Sequence, residues 1–536
     1  MSTPVNLAPP RVAIITLGCG RNEVDSDQLA GLFHREGAAI VDDPATADVV
    51  LVNTCTFIAP AKQESIDTVL EACQLKEDGQ ARAVLIVGCM AQRYPHELAD
   101  AIPEADAIIG FDGYSRLPAI VDEVLGGRIT DRVIGVGEAH PGSRPTRRDL
   151  PLMIAPAAPA VTPDAEPAAV TTVLTGGADR ALGLQVIELS PELDRGGDGV
   201  TATPRRRGAT AQDELDRVPA SGPRFPVRHL GVGGPTRPWA YLKIASGCDR
   251  VCTFCAIPSF RGRFRSRPLD EILAEATWLA DQGTRELVLV SENTTSWGKD
   301  LPGGRDLQAR LLRELSAVKG VERIRLMYLQ PAELTTPLLE AIATEPKVAS
   351  YYDLSLQHVS GPVVSRMARS GDHERFGELI ARARDADPDA VFRSNFILGF
   401  PGEGKADVRE LEGFLEAARL DWVAFFAWSP EDGTTALDLD SRVPVATARA
   451  RVEQVQELQD RLLAEAQEAW VGRRLEVLVE RVEGDGSAEG RSYREAPDAD
   501  GAVRVEGATR PLRVGEYLPV EVTAAQGPEL VARLAG

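Results

Sequence analysis

The 536-residue sequence predicts a multidomain α/β protein. A parallel α/β domain spans about 10–127, a partial (β/α)6 barrel spans 238–468, and a small antiparallel β-barrel spans 471–536. Three observations predict this division. In two separate regions, apolar runs of strand length alternate with helix-like stretches, the pattern of parallel sheets covered by helices. Between them, residues 141–237 are rich in Pro, Gly, Ala and Thr and contain no Cys. After residue 471 the pattern changes to short alternating runs with Gly-bearing turns, which suits a small barrel.

In the first region the strands are RVAIITL from Arg11, DVVLVNT from Asp48, AVLIVG from Ala83 and DAIIG from Asp106. Helices are expected over 25–36, 59–75 and 116–125. The 141–237 stretch cannot bury enough apolar surface to offset chain entropy, so a disordered linker is expected. Its one apolar run, LGLQVIELSPEL from Leu182, carries no sign of chemistry. The barrel strands are AYLKIA from Ala240, ELVLVSE from Glu286, RIRLMYL from Arg323, YYDLSLQH from Tyr351, FRSNFILGF from Phe392 and WVAFFAW from Trp422. Helical stretches at 269–281, 307–318 and 406–419 separate them, and a long charged helix over 446–470 closes the unit. RRLEVLVERVEG from Arg473, AVRVEG from Ala502, PLRVGEYLPVEVTAA from Pro511 and LVARL from Leu530 complete the final barrel.

Composition bounds the function. Hydrophobic residues make up 43% and charged residues 26%, enough to build sizeable cores. No apolar run reaches the roughly 18 residues that span a bilayer, and MSTPVNLAPPR lacks a secretory layout. A cytoplasmic location without membrane partners is therefore expected. The net charge of −21 argues against a nucleic-acid substrate and suits a basic protein partner. The final barrel carries twelve acidic against nine basic side chains from Arg473 onward, which points the same way. Seven cysteines, without the spacing of a disulfide framework, fit a reducing compartment.

Six of those cysteines fall in two trios. Cys248, Cys252 and Cys255 lie within eight residues, directly after a strand-like run. Three is an odd number and the loops are tight, so the trio cannot form orderly disulfides. Three thiolates on one loop can hold three irons of a [4Fe-4S] cluster, leaving the fourth iron open. Half of a zinc site is the alternative. Cys19, Cys55 and Cys89 each sit just beyond the C-terminal end of an expected strand, the edge where ligand sites form in open parallel sheets. They are expected to meet as a second three-thiolate site. Cys73 falls mid-helix and reads as a buried, inert cysteine.

The Cys-x3-Cys-x2-Cys loop, with Phe254 before the last cysteine, resembles the cluster loop of the radical S-adenosylmethionine enzymes. The three-part layout resembles their methylthiotransferase branch, in which the final barrel is of the TRAM type. Within that branch the residues look most like the RimO family, aspartyl methylthiotransferases of small-ribosomal-subunit protein twelve. The matching stretches are NTCTFIAPAKQESIDT from Asn53, GCDRVCTFCAIPSFRGRFRSR from Gly247, SENTTSWGKDL from Ser291, DLSLQHVSGPVVSRM from Asp353, GFPGE from Gly399 and SPEDGTTA from Ser429. Two departures are visible: Gly20-Arg21-Asn22 stands where the family often has Pro-Lys-Asn, and the linker is long.

The resemblance implies two [4Fe-4S] clusters and S-adenosylmethionine as cofactors. Cys248, Cys252 and Cys255 would hold the radical-generating cluster, and Cys19, Cys55 and Cys89 an auxiliary cluster that delivers the methylthio group. The target would be the β-carbon of an aspartate in small-ribosomal-subunit protein twelve, free or in the ribosome, with an external electron donor. An unactivated C–H bond is beyond ordinary acid–base catalysis, which is why cofactors carry that step. Ser291, Glu292 and Asn293 would contact the methionine part of the cofactor, with a helix cap or turn as the alternative. Gly399 and Glu403 would line the cofactor, with a tight turn as the alternative. Arg261, Arg263, Arg265 and Arg267 either meet an acidic substrate or pair with the protein's own carboxylates. His358 reads as a packed core residue. The rival activities are a tRNA adenosine methylthiotransferase with the same clusters and a non-enzymatic iron–sulfur redox protein.

Overall fold

The computed structural model describes residues 9–136, 228–230, 237–508 and 510–535. The expected linker, with its run from Leu182, lies outside the described residues except for Arg228–Leu230 and Arg237.

The first region is a six-stranded, wholly parallel sheet ordered β2-β1-β3-β4-β5-β6. Its strands are β1 (Arg11–Thr16), β2 (Ala39–Ile40), β3 (Val49–Thr54), β4 (Ala83–Gly88), β5 (Ala107–Ile109) and β6 (Val133–Ile134). Alternate residues of each strand serve opposite cores. Val49 and Leu51 pack towards Leu29 and Phe33 of the helix Gly20–Arg35. Val50 and Val52 pack towards Ile66 and Val69 of the helix Ala59–Asp78. Both faces are therefore covered, so β3 and β4 are buried along their whole length and read as continuous apolar runs. Each such Val or Leu contributes roughly 1.5–3 kcal/mol. β2 and β6 are two-residue edge strands, too short to carry a pattern that the sequence could show.

The second region has six parallel strands: β7 (Trp239–Lys243), β10 (Glu286–Val290), β11 (Arg323–Leu326), β12 (Tyr351–Gln357), β13 (Val391–Leu398) and β14 (Trp422–Ala427). They form two three-stranded sheets, β11-β10-β7 and β12-β13-β14. Parallel bridges at Ile324–Val348 and Leu329–Leu354 join the two at their seam. This is the partial (β/α)6 barrel, open between β14 and β7. A two-stranded ribbon, β8 (Ala245–Ser246) with β9 (Arg265–Ser266), brackets the cysteine loop.

The last region closes into a barrel ordered β15-β16-β17-β19-β18. Its strands are β15 (Arg474–Val482), β16 (Ala488–Arg491), β17 (Val503–Glu506), β18 (Tyr517–Gln526) and β19 (Glu529–Leu534). One of its pairings, β17 with β19, is parallel and the rest are antiparallel. β16 is not among the expected strands, because Gly490 and two charged residues break its alternation.

The three regions share an interior. Trp239, Tyr241, Val288, Val290, Met327, Tyr351, Val391 and Trp422 face inward from the open barrel. Leu478 and Ala496 of the C-terminal barrel and Val24 of the first helix pack onto them. Ion pairs lock the contact: Glu286 lies 3.0 Å from Arg491, and Arg393 lies 3.2 Å from Asp500. Arg228, at the end of the linker, is buried and bridges Asp27 and Glu275 at 2.5 and 3.1 Å.

Candidate active site

The three separated cysteines converge because their strands are neighbours. Cys19 follows β1 and begins the helix Gly20–Arg35, Cys55 follows β3, and Cys89 follows β4 and opens the helix Cys89–Arg93. Those strands lie side by side in the order β1-β3-β4. Gly18 makes the approach possible: at φ +95° it has no Cβ, and one placed there would stand 2.9 Å from the Cys55 Cβ and Sγ. Cys55 is buried, while Cys19 and Cys89 are partly exposed. Burial and the thiols of Cys89 and Cys19 push the Cys55 thiol up to about 12. Burial also raises Cys89, against the pull of Arg261. At Cys19 the nearby Arg21 and Arg261 outweigh burial and hold the thiol below its usual range.

The second trio sits on the loop after β8. Thr253 anchors it, accepting from the Ala436 amide at 2.9 Å and donating its own amide to the Met367 carbonyl at 3.1 Å. Phe254 packs against Val363, Met367, Phe400 and Ala436. Arg369 points Nη1 at the Cys252 sulfur, 3.7 Å away, and the Arg250 amide is 3.4 Å from the Cys248 sulfur. Burial raises Cys248 and pushes Cys255 up to about 12. The thiols of each trio feel one another's charge.

A tetrahedral zinc ion needs four ligands within about 2.0–2.3 Å. Two thiol-only trios with guanidinium neighbours therefore fit a wider, anionic, sulfur-ligated group better than a lone ion. Anionic iron–sulfur clusters held by three thiolates have that character.

One cysteine of each trio, Cys19 and Cys255, lines a shared cavity of about 290 Å³. Its walls carry Cys19 from the first region, Cys255 from the barrel loop, and Pro497, Asp498 and Ala499 from the C-terminal barrel. Arg393, Asn395 and Ile397 line it from alternate positions of β13, and Phe426 and Trp428 from the end of β14. Tyr328 and Gln357, at the C-terminal ends of β11 and β12, also line it and hold positive φ values of 61° and 71°. Such strain in non-glycine residues costs of order 1–3 kcal/mol and concentrates at functional sites.

The five expected cofactor contacts occupy different surroundings. Ser291 accepts from the Asn293 amide at 3.1 Å, and the Asn293 side chain donates to Ser296 at 2.9 Å and to Glu333 at 3.2 Å. Glu292 is different. Its side chain is 1% exposed, neither carboxylate oxygen accepts a hydrogen bond, and Arg21 and Arg261 stand 3.4 and 3.9 Å away. Glu403 accepts from the Gly399 amide at 2.8 Å and from Arg451 at 2.6 Å, which pins the turn after β13. His358 is fully buried, 3.5 Å from Glu403.

The arginine run divides. Arg261 and Arg267 are buried on Asp25 and Glu275, at 3.1 and 2.7 Å, whereas Arg263 and Arg265 are exposed. Arg21, Tyr328, Gln357, Glu333 and Arg369 join the site without any sequence motif that predicts them. Only Arg21 left a local signal, as a departure beside Cys19. The motif SPEDGTTA is also explained: its Glu431 receives Lys62 and Arg93 of the first region, both at 3.0 Å.

Residues 11–110 match the model of Uncharacterized protein family UPF0004, 242–415 the radical SAM superfamily, and 471–534 the TRAM domain. A relative from Kineococcus radiotolerans, "Ribosomal protein uS12 methylthiotransferase RimO", is 45% identical over 525 residues, 97% of this chain and 96% of its own. The chain belongs to the RimO family. Relatives of the same name from Saccharopolyspora erythraea and Streptomyces avermitilis are 45% and 42% identical, over 98% and 97% of this chain and 95% and 96% of theirs. A radical S-adenosylmethionine methyltransferase, TsrM, from Kitasatospora setae is a looser structural match, with a TM-score of 0.49 and 14% identity over 77% of this chain and 72% of that one. Membership makes the chain a radical S-adenosylmethionine methylthiotransferase that uses iron–sulfur clusters. No helix among the described residues is long and apolar enough to cross a membrane.

Proposed function

We propose that this chain places a methylthio group on the β-carbon of an aspartate of ribosomal protein uS12, in the cytoplasm and with an external electron donor. In this reading Cys248, Cys252 and Cys255 hold the radical-generating cluster, and Cys19, Cys55 and Cys89 the auxiliary one. When bound, the clusters and S-adenosylmethionine supply the electron, the radical and the sulfur that activate and substitute an inert C–H bond. The chain's own residues do the rest. Arg369 and the Arg250 amide donate towards the sulfurs of the loop trio, and Phe254 wedges that loop onto the barrel. Glu292, with both oxygens free of hydrogen bonds, is suited to accept a cofactor ammonium. The walls from β13, β14 and the C-terminal barrel exclude water around the target side chain.

The observation that carries this reading is the shared cavity, with Cys19 on one wall and Cys255 on another. Radical generation and sulfur delivery must act on one carbon atom, and a chamber lined by a cysteine of each trio suits that requirement. The net charge of −21 favours a basic ribosomal protein over RNA. The tRNA reading is not favoured, since full-length relatives carry the uS12 name. The test is anaerobic turnover of the reconstituted protein with dithionite, S-adenosylmethionine, uS12 and tRNA together, read by mass spectrometry of the uS12 peptides and of the tRNA nucleosides. A methylthio group on one uS12 aspartate is expected; unmodified uS12 beside a methylthiolated tRNA adenosine overturns the assignment.

A further inference from the structure

The two trios exchange arginines across the domain boundary. Arg261 lies at the end of the helix Ile257–Arg261, six residues after Cys255 in the barrel loop, yet its guanidinium is buried in the first region. Its Nη2 donates to the Cys89 sulfur at 3.2 Å and to Asn22 Oδ1 at 2.9 Å, and its Nη1 donates to Asp25 at 3.1 Å. Its plane lies over the Phe111 ring at 4.7 Å. Arg21 runs the other way. Two residues after Cys19, it donates Nε to the Cys19 sulfur at 3.3 Å and extends Nη1 towards Glu292 of the barrel, 3.4 Å away. The Tyr328 ring backs it at 5.3 Å.

The carboxylates here do not take up these guanidiniums fully. Asp25 is shared with Lys243 at 3.1 Å, and Glu292 accepts no hydrogen bond. Each arginine therefore keeps one donor aimed at sulfur, with a charge that does not titrate in water's working range. Burying a cation is costly unless an anion answers it. Thiolates bound to a cluster are that anion.

We propose that Arg21 and Arg261 are positioning residues that raise the reduction potential of the group held by Cys19, Cys55 and Cys89, and that Arg261 does so from the other domain. The inference rests on the two-cluster reading above. A one-electron reduction adds one negative charge to the cluster and its sulfurs and breaks no bond. Cations and N–H donors at the sulfurs favour the reduced form, so hydrogen bonding to sulfur tunes such potentials. Because Arg261 belongs to the loop of the radical-generating trio, the auxiliary site reaches its working potential only when the two regions are docked.

The test uses the full chain with Cys248, Cys252 and Cys255 all replaced by Ala, reconstituted anaerobically so that one site is loaded. Potentiometric titration with dithionite, followed by electron paramagnetic resonance, reads its midpoint potential. Arg261→Gln and Arg21→Gln are each expected to shift the midpoint to more negative values. Arg261→Lys, which keeps the charge, should recover most of the shift. Unchanged midpoints in both Gln variants, with iron and sulfide intact, would reduce the arginines to structural braces and overturn the proposal. If Arg261→Gln fails to hold the cluster, Arg21→Gln and Arg261→Lys decide: a shift in the first with little in the second supports the proposal, and no shift in the first overturns it. A parent triple variant that binds no iron contradicts the two-cluster reading instead, so the two failures are distinguishable.

Discussion

At the scale of single residues, seven cysteines divide by their surroundings. Cys73 sits in the apolar core beside Val69 and Ala72, and burial pushes its thiol up to about 11. Cys73→Ala should therefore leave iron content unchanged and cost about 1 kcal/mol in unfolding free energy, the ordinary penalty of a core change. Cys19→Ala should lose the iron of one cluster and leave the other, as read by iron and sulfide counts. Gly18→Ala is the sharper probe of local geometry. A Cβ there meets Cys55 at 2.9 Å, on a backbone at φ +95°. Strain of about 1–3 kcal/mol should appear in thermal unfolding, together with loss of iron from that site alone.

At the scale of elements, burial decided what was legible. β3, β4 and β10 are covered on both faces, so they stand out as apolar runs that end at or beside Asn, Gly or Ser. The strand-end positions of Cys19, Cys55 and Cys89 followed directly from those runs. β2 and β6 were not legible, because a two-residue edge strand needs no pattern, and β16 was not, because Gly490 and two charged residues break its alternation. The cross-domain partners were invisible for another reason. Arg261 reaches Asn22 across 239 positions, and no local spacing encodes that pairing. The same holds for Asp500, which reaches Tyr351 over 149 positions. The loop element gives its own prediction: Phe254→Ala removes the wedge against Phe400 and Met367 and should make the loop trio release iron faster than the strand-end trio under a chelator.

At the scale of the whole molecule, the C-terminal barrel is part of the site rather than an appendage. It fills the mouth of the open barrel and supplies Pro497, Asp498 and Ala499 to the cavity. Its docking rests on two buried carboxylates with opposite pH behaviour. Burial pushes Asp500 up to about 6, even with Arg393 beside it. A raised carboxyl stabilises the fold most when protonated, so its contribution fades as pH rises through about 6. Glu286 is the reverse. Burial works against it, but Arg491, Arg325 and Arg323 hold it down at about 2. Its contribution is present above its ordinary value of 4.5 and is lost as pH falls towards 2. Thermal stability should therefore rise modestly from pH 7 to about 5 and drop steeply below about 4. Glu286→Gln, which strands buried arginines, should cost about 3–5 kcal/mol and flatten the acid limb.

The two cysteine trios, each with one member on the shared chamber, stand or fall on a metal count. Anaerobic reconstitution of the full chain, with iron and acid-labile sulfide measured per polypeptide, should give about eight of each. Replacing either trio with alanine should bring that to about four, with the remaining cluster intact. A parent chain that saturates at about four irons, or that carries zinc without sulfide, would contradict the two-cluster reading.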